Sequence, residues 1–183
     1  TSDPVTYSPT TTVAFSWSGG ADTNPDNFNI KACTNNDCAT GCTAVQTDAA
    51  SPYSFTGLVN GTIYYACVQA QDLAGNVSAF AASTNTVTVD TTSPGVVTTT
   101  DPVAYSPTTT VAFSWSGGAD TNPDNFNLKA CTNGDCATGC TAVQTDAASP
   151  YNFTGLVNGT IYYACVQAQD LAGNVSAFAA STN

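Results

Sequence analysis

The chain has no glutamate, arginine, histidine or methionine, and only two lysines among 183 residues. Each absence removes a class of function. Without His or Glu there is no ordinary general acid–base pair, and neither a GxSxG nucleophile turn nor a phosphate-cradling glycine loop is present. Lys31 and Lys129 cannot by themselves neutralise a run of phosphates, so the sequence excludes nucleic acid as a partner. The net charge of −11 sets the chain against an anionic membrane face. No run approaches 18 apolar residues and no basic-then-apolar leader opens the chain, so it reads as mature, soluble protein without direct membrane insertion. Charged residues are 8% of the total, against roughly 25% in ordinary proteins, and every acid is an aspartate. What remains for the surface is Thr, Ser, Asn and Ala, with few sites for a trypsin-like protease.

What is there comes twice. Asp3 to Asn85 returns without a gap as Asp101 to Asn183, a period of 98 residues, and only Thr6/Ala104, Ile30/Leu128, Asn36/Gly134 and Ser54/Asn152 differ. A period this long exceeds that of a solenoid repeat and equals one small autonomous domain. The sequence therefore predicts two domains, 1–90 and 91–183, with a joint over 86–100. In that joint the alternating Val87 and Val89 are followed by a Ser93-Pro94-Gly95 break and by Val96-Val97. The first copy lacks the PGVVT segment and the second lacks TVTVD, so each is one terminal strand short. The simplest expectation is an excerpt of a longer array. The sharper one is that neighbouring copies supply the strands, since an unpaired sheet edge is a template for strand addition.

Each copy carries four cysteines: Cys33, Cys38, Cys42 and Cys67, then Cys131, Cys136, Cys140 and Cys165. An even count in a small domain points to an oxidising compartment and two disulfides per copy. The C-x4-C-x3-C spacing is not that of a paired zinc knuckle, and no His assists.

Alternation of period 2 supplies the strands. Val13, Phe15 and Trp17 alternate with Ala14, Ser16 and Ser18. Phe28, Ile30 and Ala32 alternate with Asn29, Lys31 and Cys33, and Tyr64, Ala66, Val68 and Ala70 with Tyr65, Cys67, Gln69 and Gln71. Cys33 and Cys67 then share an outward face, which predicts a Cys33–Cys67 bridge (Cys131–Cys165 in the second copy) with Cys38–Cys42 (Cys136–Cys140) tying the loop; Cys33 with Cys42 is the alternative. No segment holds a 3.6-residue apolar period over ten residues, and turn residues recur between the strand-like runs. The fold class is all-β, with about seven strands per copy in a sandwich of immunoglobulin size.

The stretch GLVNGTIYYACVQAQDLAGNVS (Gly57 to Ser78) resembles the E–F corner and F strand of fibronectin type III and bacterial immunoglobulin-like repeats. By that resemblance Leu58 and Tyr64, and Leu156 and Tyr162, form a tyrosine corner, while Trp17 and Trp115 take the place of the core tryptophan of strand B. The junction VDTTSPG is similar to joints of bacterial surface-protein arrays. The four cysteines depart from the common pattern and mark a disulfide-braced branch. The resemblance implies secreted or cell-surface repeats that space, stiffen or display other domains.

Candidate sites are few. Asp22, Asn24 and Asp26, repeated as Asp120, Asn122 and Asp124, occupy the first three ligand positions of a D-x-N-x-D calcium loop. The pattern then breaks, with Asn27 at the glycine position and Cys33 at the bidentate acid, so self-bonded Asx turns are the favoured reading and calcium the alternative cofactor. Asp72, Asp90 and Asp101 form a second candidate calcium site, at the joint. Asn60, Asn76, Asn152, Asn158 and Asn174 head glycosylation-type triplets, four of which turn chemistry explains. Tyr65 and Tyr163 are candidate sugar contacts. No catalytic residue is assigned. The expectation is a non-enzymatic stalk or filament subunit whose partners are neighbouring copies of the repeat; the alternative is an adhesive module recognising carbohydrate or a host surface.

Overall fold

The computed structural model describes residues 6–20 and 25–182. The chain divides into two compact units, Thr1–Thr92 and Ser93–Asn183. Unit 1 contains β1 (Tyr7–Ser8), β2 (Val13–Phe15), β3 (Pro25–Cys33), β4 (Tyr53–Phe55), β5 (Ile63–Asp72), β6 (Ala81–Ala82) and β7 (Val87–Val89). One sheet runs β1-β7-β5-β3, with β6 also on β5, and β2 pairs with β4 in a second layer. The alternating apolar positions of β2, β3 and β5 point between the layers, where Phe15, Ile30 and Ala66 are buried with Trp17, Phe55, Leu58 and Val68. Strand β7 enters this core directly: Val87 and Val89 have no exposed surface. It runs parallel to β1 and antiparallel to the start of β5.

Unit 2 contains β8 (Val97–Thr100), β9 (Val111–Gly117), β10 (Pro123–Cys131), β11 (Tyr151–Phe153), β12 (Tyr163–Asp170) and β13 (Ala179–Ala180). Its sheets are β10-β12-β13 and β11-β9-β8. Phe113, Trp115, Leu128, Ala164 and Val166 repeat the core of unit 1, and Val97 from β8 joins them. Both units are β-sandwiches, each with one main core between its layers.

The longest ladder sets the geometry of everything else. In β3 and β5, Ile30 pairs with Val68, Lys31 with Cys67 and Cys33 with Tyr65, and the same register recurs in β10 and β12. On the other side of β3 an irregular segment runs antiparallel, with Ile30 and Gln46 exchanging backbone hydrogen bonds of 2.9 and 2.8 Å. The face expected to point outward does not meet water along its whole length. Cys33 and Cys67 are fully buried, because the 34–42 loop, Phe80 and Ala82 close over them as a second small core.

Candidate functional site

The most elaborately built part of each unit is this covered face. Cys33 bonds to Cys42 and Cys38 to Cys67; Cys131–Cys140 and Cys136–Cys165 repeat the arrangement. This corrects the expected Cys33–Cys67 and Cys38–Cys42 bridges, and the ladder register is the reason. Because Cys67 stands opposite Lys31, Cys33 is its diagonal neighbour, about 7–8 Å away where a bridge needs Cβ atoms about 4 Å apart. Cys42 stands directly across from Cys33 in an antiparallel bridge, with Cα atoms 4.0 Å apart. Cys38 reaches Cys67 from the loop tip at a Cα separation of 5.7 Å.

Aspartate shapes that loop tip. Asp37 Oδ1 accepts from the backbone N–H groups of Ala39 (2.7 Å) and Thr40 (3.2 Å), and Asn35 Oδ1 accepts from Asp37 N–H. These bonds turn the chain so that Cys38 sits at φ 54°, a left-handed conformation unusual for a residue with a Cβ. They also hold the Asp37 carboxyl below its ordinary pKa, first through the Ala39 N–H and then through that of Thr40; Ala137 and Thr138 do the same to Asp135. Lys31 lies on the same face with its Nζ 4.1 Å from the Phe80 ring centroid, and Lys129 repeats this over Phe178. The only two cations of the chain thus cap aromatic rings.

On the opposite face of β5, Tyr64 is buried and its hydroxyl accepts a hydrogen bond of 3.2 Å from Val59 N–H, while Leu58 donates to Thr11 O. Tyr162 and Val157 make the same bond, beside Leu156. Trp17 packs edge-on to Phe28 at 5.9 Å, and Trp115 to Phe126 at 5.8 Å.

In unit 2 the aspartates of the D-x-N-x-D loop accept hydrogen bonds from within the loop. Asp22 and Asn24 lie outside the described residues, as does the Asp26 side chain. In unit 2, Asp120 Oδ1 accepts from Asn122 N–H at 2.8 Å, Asp124 Oδ2 from Asn125 Nδ2 at 2.8 Å, and Asn122 O from Leu171 N–H at 2.9 Å. The first is an Asx-turn bond, the second joins neighbouring side chains, and the third ties the loop backbone to the end of β12. Asp72 accepts from Ala74 N–H, Asn76 N–H and Asn76 Nδ2, which lowers its pKa, the Asn76 side chain first. Asp90 accepts from Thr92 N–H, and Asp101 binds the Thr182 N–H and hydroxyl at 2.7 and 2.6 Å. Asn60, one of the glycosylation-type positions, grips the end of its own unit: its Oδ1 accepts from Thr91 N–H and its Nδ2 donates to Thr92 Oγ1. Tyr65 and Tyr163 are half-buried, and the Tyr163 ring passes 3.5 Å from where a Cβ on Gly134 would stand. Tyr163 thus lies against the loop that carries the cysteines.

In unit 2, Ala104, Tyr105, Ser106, Val111, Asn158 and Ile161 line part of a groove of about 570 Å³, open along the edge of the sandwich.

Sandwiches with a tyrosine corner and a buried tryptophan define the class: the chain is a tandem pair of fibronectin type III-like domains, disulfide-braced. The structure of chicken CNTN1 domains FN1–FN3 superposes with a TM-score of 0.51 at 14% identity, over 98% of this chain and 65% of that one. No family model matches. Among curated proteins the chain is similar to exoglucanase B of Cellulomonas fimi (32% identical over 173 residues, 92% of this chain), exoglucanase A of the same organism (39%, 63% of this chain) and chitinase A1 of Niallia circulans (33%, 68% of this chain). It spans only 15, 13 and 17% of those proteins' lengths. Four disulfides, no free cysteine and this kinship place the chain in the extracellular compartment.

Proposed function

We propose that the chain is a non-catalytic structural segment of an extracellular protein, a spacer or stalk built by repeating one braced domain. The observation that carries this reading is the near-identity of two units, each with its own core and its own pair of disulfides. Repetition supplies length and durability, whereas a catalytic site needs one asymmetric pocket. The likeness to short portions of two exoglucanases and a chitinase supports a segment that accompanies other domains. It also favours a polysaccharide-associated setting, and that is the basis for the second reading, an adhesive module.

Incubating the purified chain with insoluble cellulose and with chitin separates these readings. A spacer stays in the supernatant and releases no reducing sugar; retention on either polymer favours adhesion, and sustained sugar release overturns both. Small-angle scattering from chains of one, two and four copies tests the spacer directly, with a maximum dimension that grows in proportion to copy number.

A further inference from the structure

The two units are nearly one sequence, so each is a control for the other, and one of their differences lies in the loop that carries the cysteines. Asn36 of unit 1 is Gly134 in unit 2, which turns the pair Asn35-Asn36 into Asn133-Gly134. In both copies the first asparagine heads the same turn: its Oδ1 accepts from the N–H two residues on, Asp37 to Asn35 at 3.0 Å and Asp135 to Asn133 at 3.1 Å. All of these residues face solvent. The side-chain nitrogens differ. Asn35 Nδ2 donates to Thr40 Oγ1 at 3.3 Å, whereas Asn133 Nδ2 has no partner among the described residues.

An asparagine side chain can be attacked at Cγ by the peptide nitrogen of the next residue, closing a succinimide ring and expelling ammonia. Closure is opposed by crowding at the attacking nitrogen, by a hydrogen bond that holds the leaving amide, and by the lack of a donor for the charge that develops on Oδ1. At Asn133 all three obstacles are lifted. Gly134 has no Cβ beside its nitrogen, the leaving amide is unbonded, and the Asp135 N–H already points at the oxygen on which negative charge builds. At Asn35 only the donor is in place, since Asn36 crowds the nitrogen and Thr40 holds the amide.

We propose that Asn133 is a self-modification site, converting in the folded, oxidised chain to aspartate and isoaspartate. The Gly134 nitrogen bonds to Asn133 Cγ and gives up its proton, the Cγ–Nδ2 bond breaks, and the amide leaves with that proton as ammonia. Water then opens the ring at either carbonyl, so that one amide and one water become one carboxyl group and ammonia, with nothing oxidised or reduced. The product places a new negative charge beside Asp135, whose carboxylate turns the loop through the N–H groups of Ala137 and Thr138. Its isoaspartate form also lengthens the main chain inside the loop that the Cys131–Cys140 bridge closes. Unit 2 thereby records time spent in water, in the loop that braces it, faster than unit 1 does. This holds for a spacer and for an adhesive module alike, because the reaction needs only water.

The test is storage of the native, disulfide-intact chain in mildly alkaline buffer, then reduction, chymotryptic digestion and mass spectrometry with fragmentation that separates aspartate from isoaspartate. Asn36 and Gly134 make the peptides of the two loops distinguishable, and the Asn-Gly pairs that both copies share, at Asn60 and Asn158, fall in other peptides. Conversion at Asn133 should outrun that at Asn35 by about tenfold and give both isomers. Gly134→Asn installs the residue that unit 1 already carries, with a Cβ 3.5 Å from the Tyr163 ring, an ordinary contact, so the variant folds. It should slow Asn133 toward the rate of Asn35, while Asn36→Gly with Thr40→Val should bring Asn35 up to the rate of Asn133. Equal rates at Asn35 and Asn133 in the native chain would overturn the proposal, as would an unchanged rate in Gly134→Asn. Aspartate as the sole product would also overturn it, because direct hydrolysis of the amide passes through no ring. The polysaccharide assay is untouched by any of these results.

Discussion

At the scale of single residues, hydrogen bonds decide more than charge does. Tyr64 shows this: its ring fills the core while its hydroxyl satisfies the Val59 N–H at the bend before β5. Tyr64→Phe keeps the packing and removes only that acceptor, so it should cost about 1–2 kcal/mol in a urea titration. A loss below about 0.3 kcal/mol would show that water replaces the hydroxyl without penalty. The aspartates make a second case. Asp37, Asp72 and Asp135 are solvent-facing, and backbone or side-chain N–H donors depress their pKa values in the folded state. A depressed folded pKa means stability that is present above the unfolded value of about 3.9 and lost as pH falls through the folded value. Urea midpoints should therefore be level from pH 7 to about 5 and fall below about 4. The variant Asp37→Asn with Asp135→Asn should flatten that decline; an unchanged acid limb would assign it to other carboxylates.

At the scale of elements, the sequence conveyed faces more readily than register. Period 2 marked Val13, Phe15, Trp17, Ile30 and Ala66 as one inward set, and they share the core of unit 1. The same period could not choose the cysteine partners. A ladder slipped by two residues keeps every side chain on its face, so Cys33 beside Cys67 and Cys33 diagonal to Cys67 read identically from sequence. Nor could alternation reveal that β5 is shared, with Ile63 and Tyr64 pairing with β7 while Cys67 and Val68 pair with β6. The D-x-N-x-D spacing left the turn and calcium readings side by side, and in unit 2 its first aspartate accepts a hydrogen bond within its own turn. The pairing is open to a direct check. Cleavage before aspartates without reduction should leave the 26–36, 37–47 and 48–71 peptides in one linked cluster, since Cys38 and Cys42 each tie the middle peptide to a different neighbour. Release of 37–47 alone, with an internal bridge, would restore the Cys38–Cys42 pairing. The two bridges are also unequal. They close loops of 9 and 29 residues, which the chain-entropy relation values at about 2.6 and about 3.6 kcal/mol, so replacing Cys38 and Cys67 by Ala should lower stability more than replacing Cys33 and Cys42.

At the scale of the whole molecule, two units with separate cores should fail separately under load. Stretching the chain from its ends should give two unfolding events, and the crossed bridges limit the length each releases. With both bridges intact, the route from Cys33 to Cys67 passes through Cys42 and Cys38, four residue steps and two bridges in place of 34 steps. At about 3.4 Å per extended residue, reduction should lengthen each event by about 90 Å. The two events should also differ in force. Unit 1 holds β7 between β1 and β5, so its core strands are clamped at the edge where unit 2 has an open groove. Unit 2 should therefore yield first. Replacing Cys136 and Cys165 by Ala identifies it, because only the event belonging to unit 2 then lengthens without reductant. Equal forces for the two units would mean that the edge strand contributes nothing to mechanical strength; a higher force for unit 2 would mean that β8, packed into its core through Val97, is the stronger clamp.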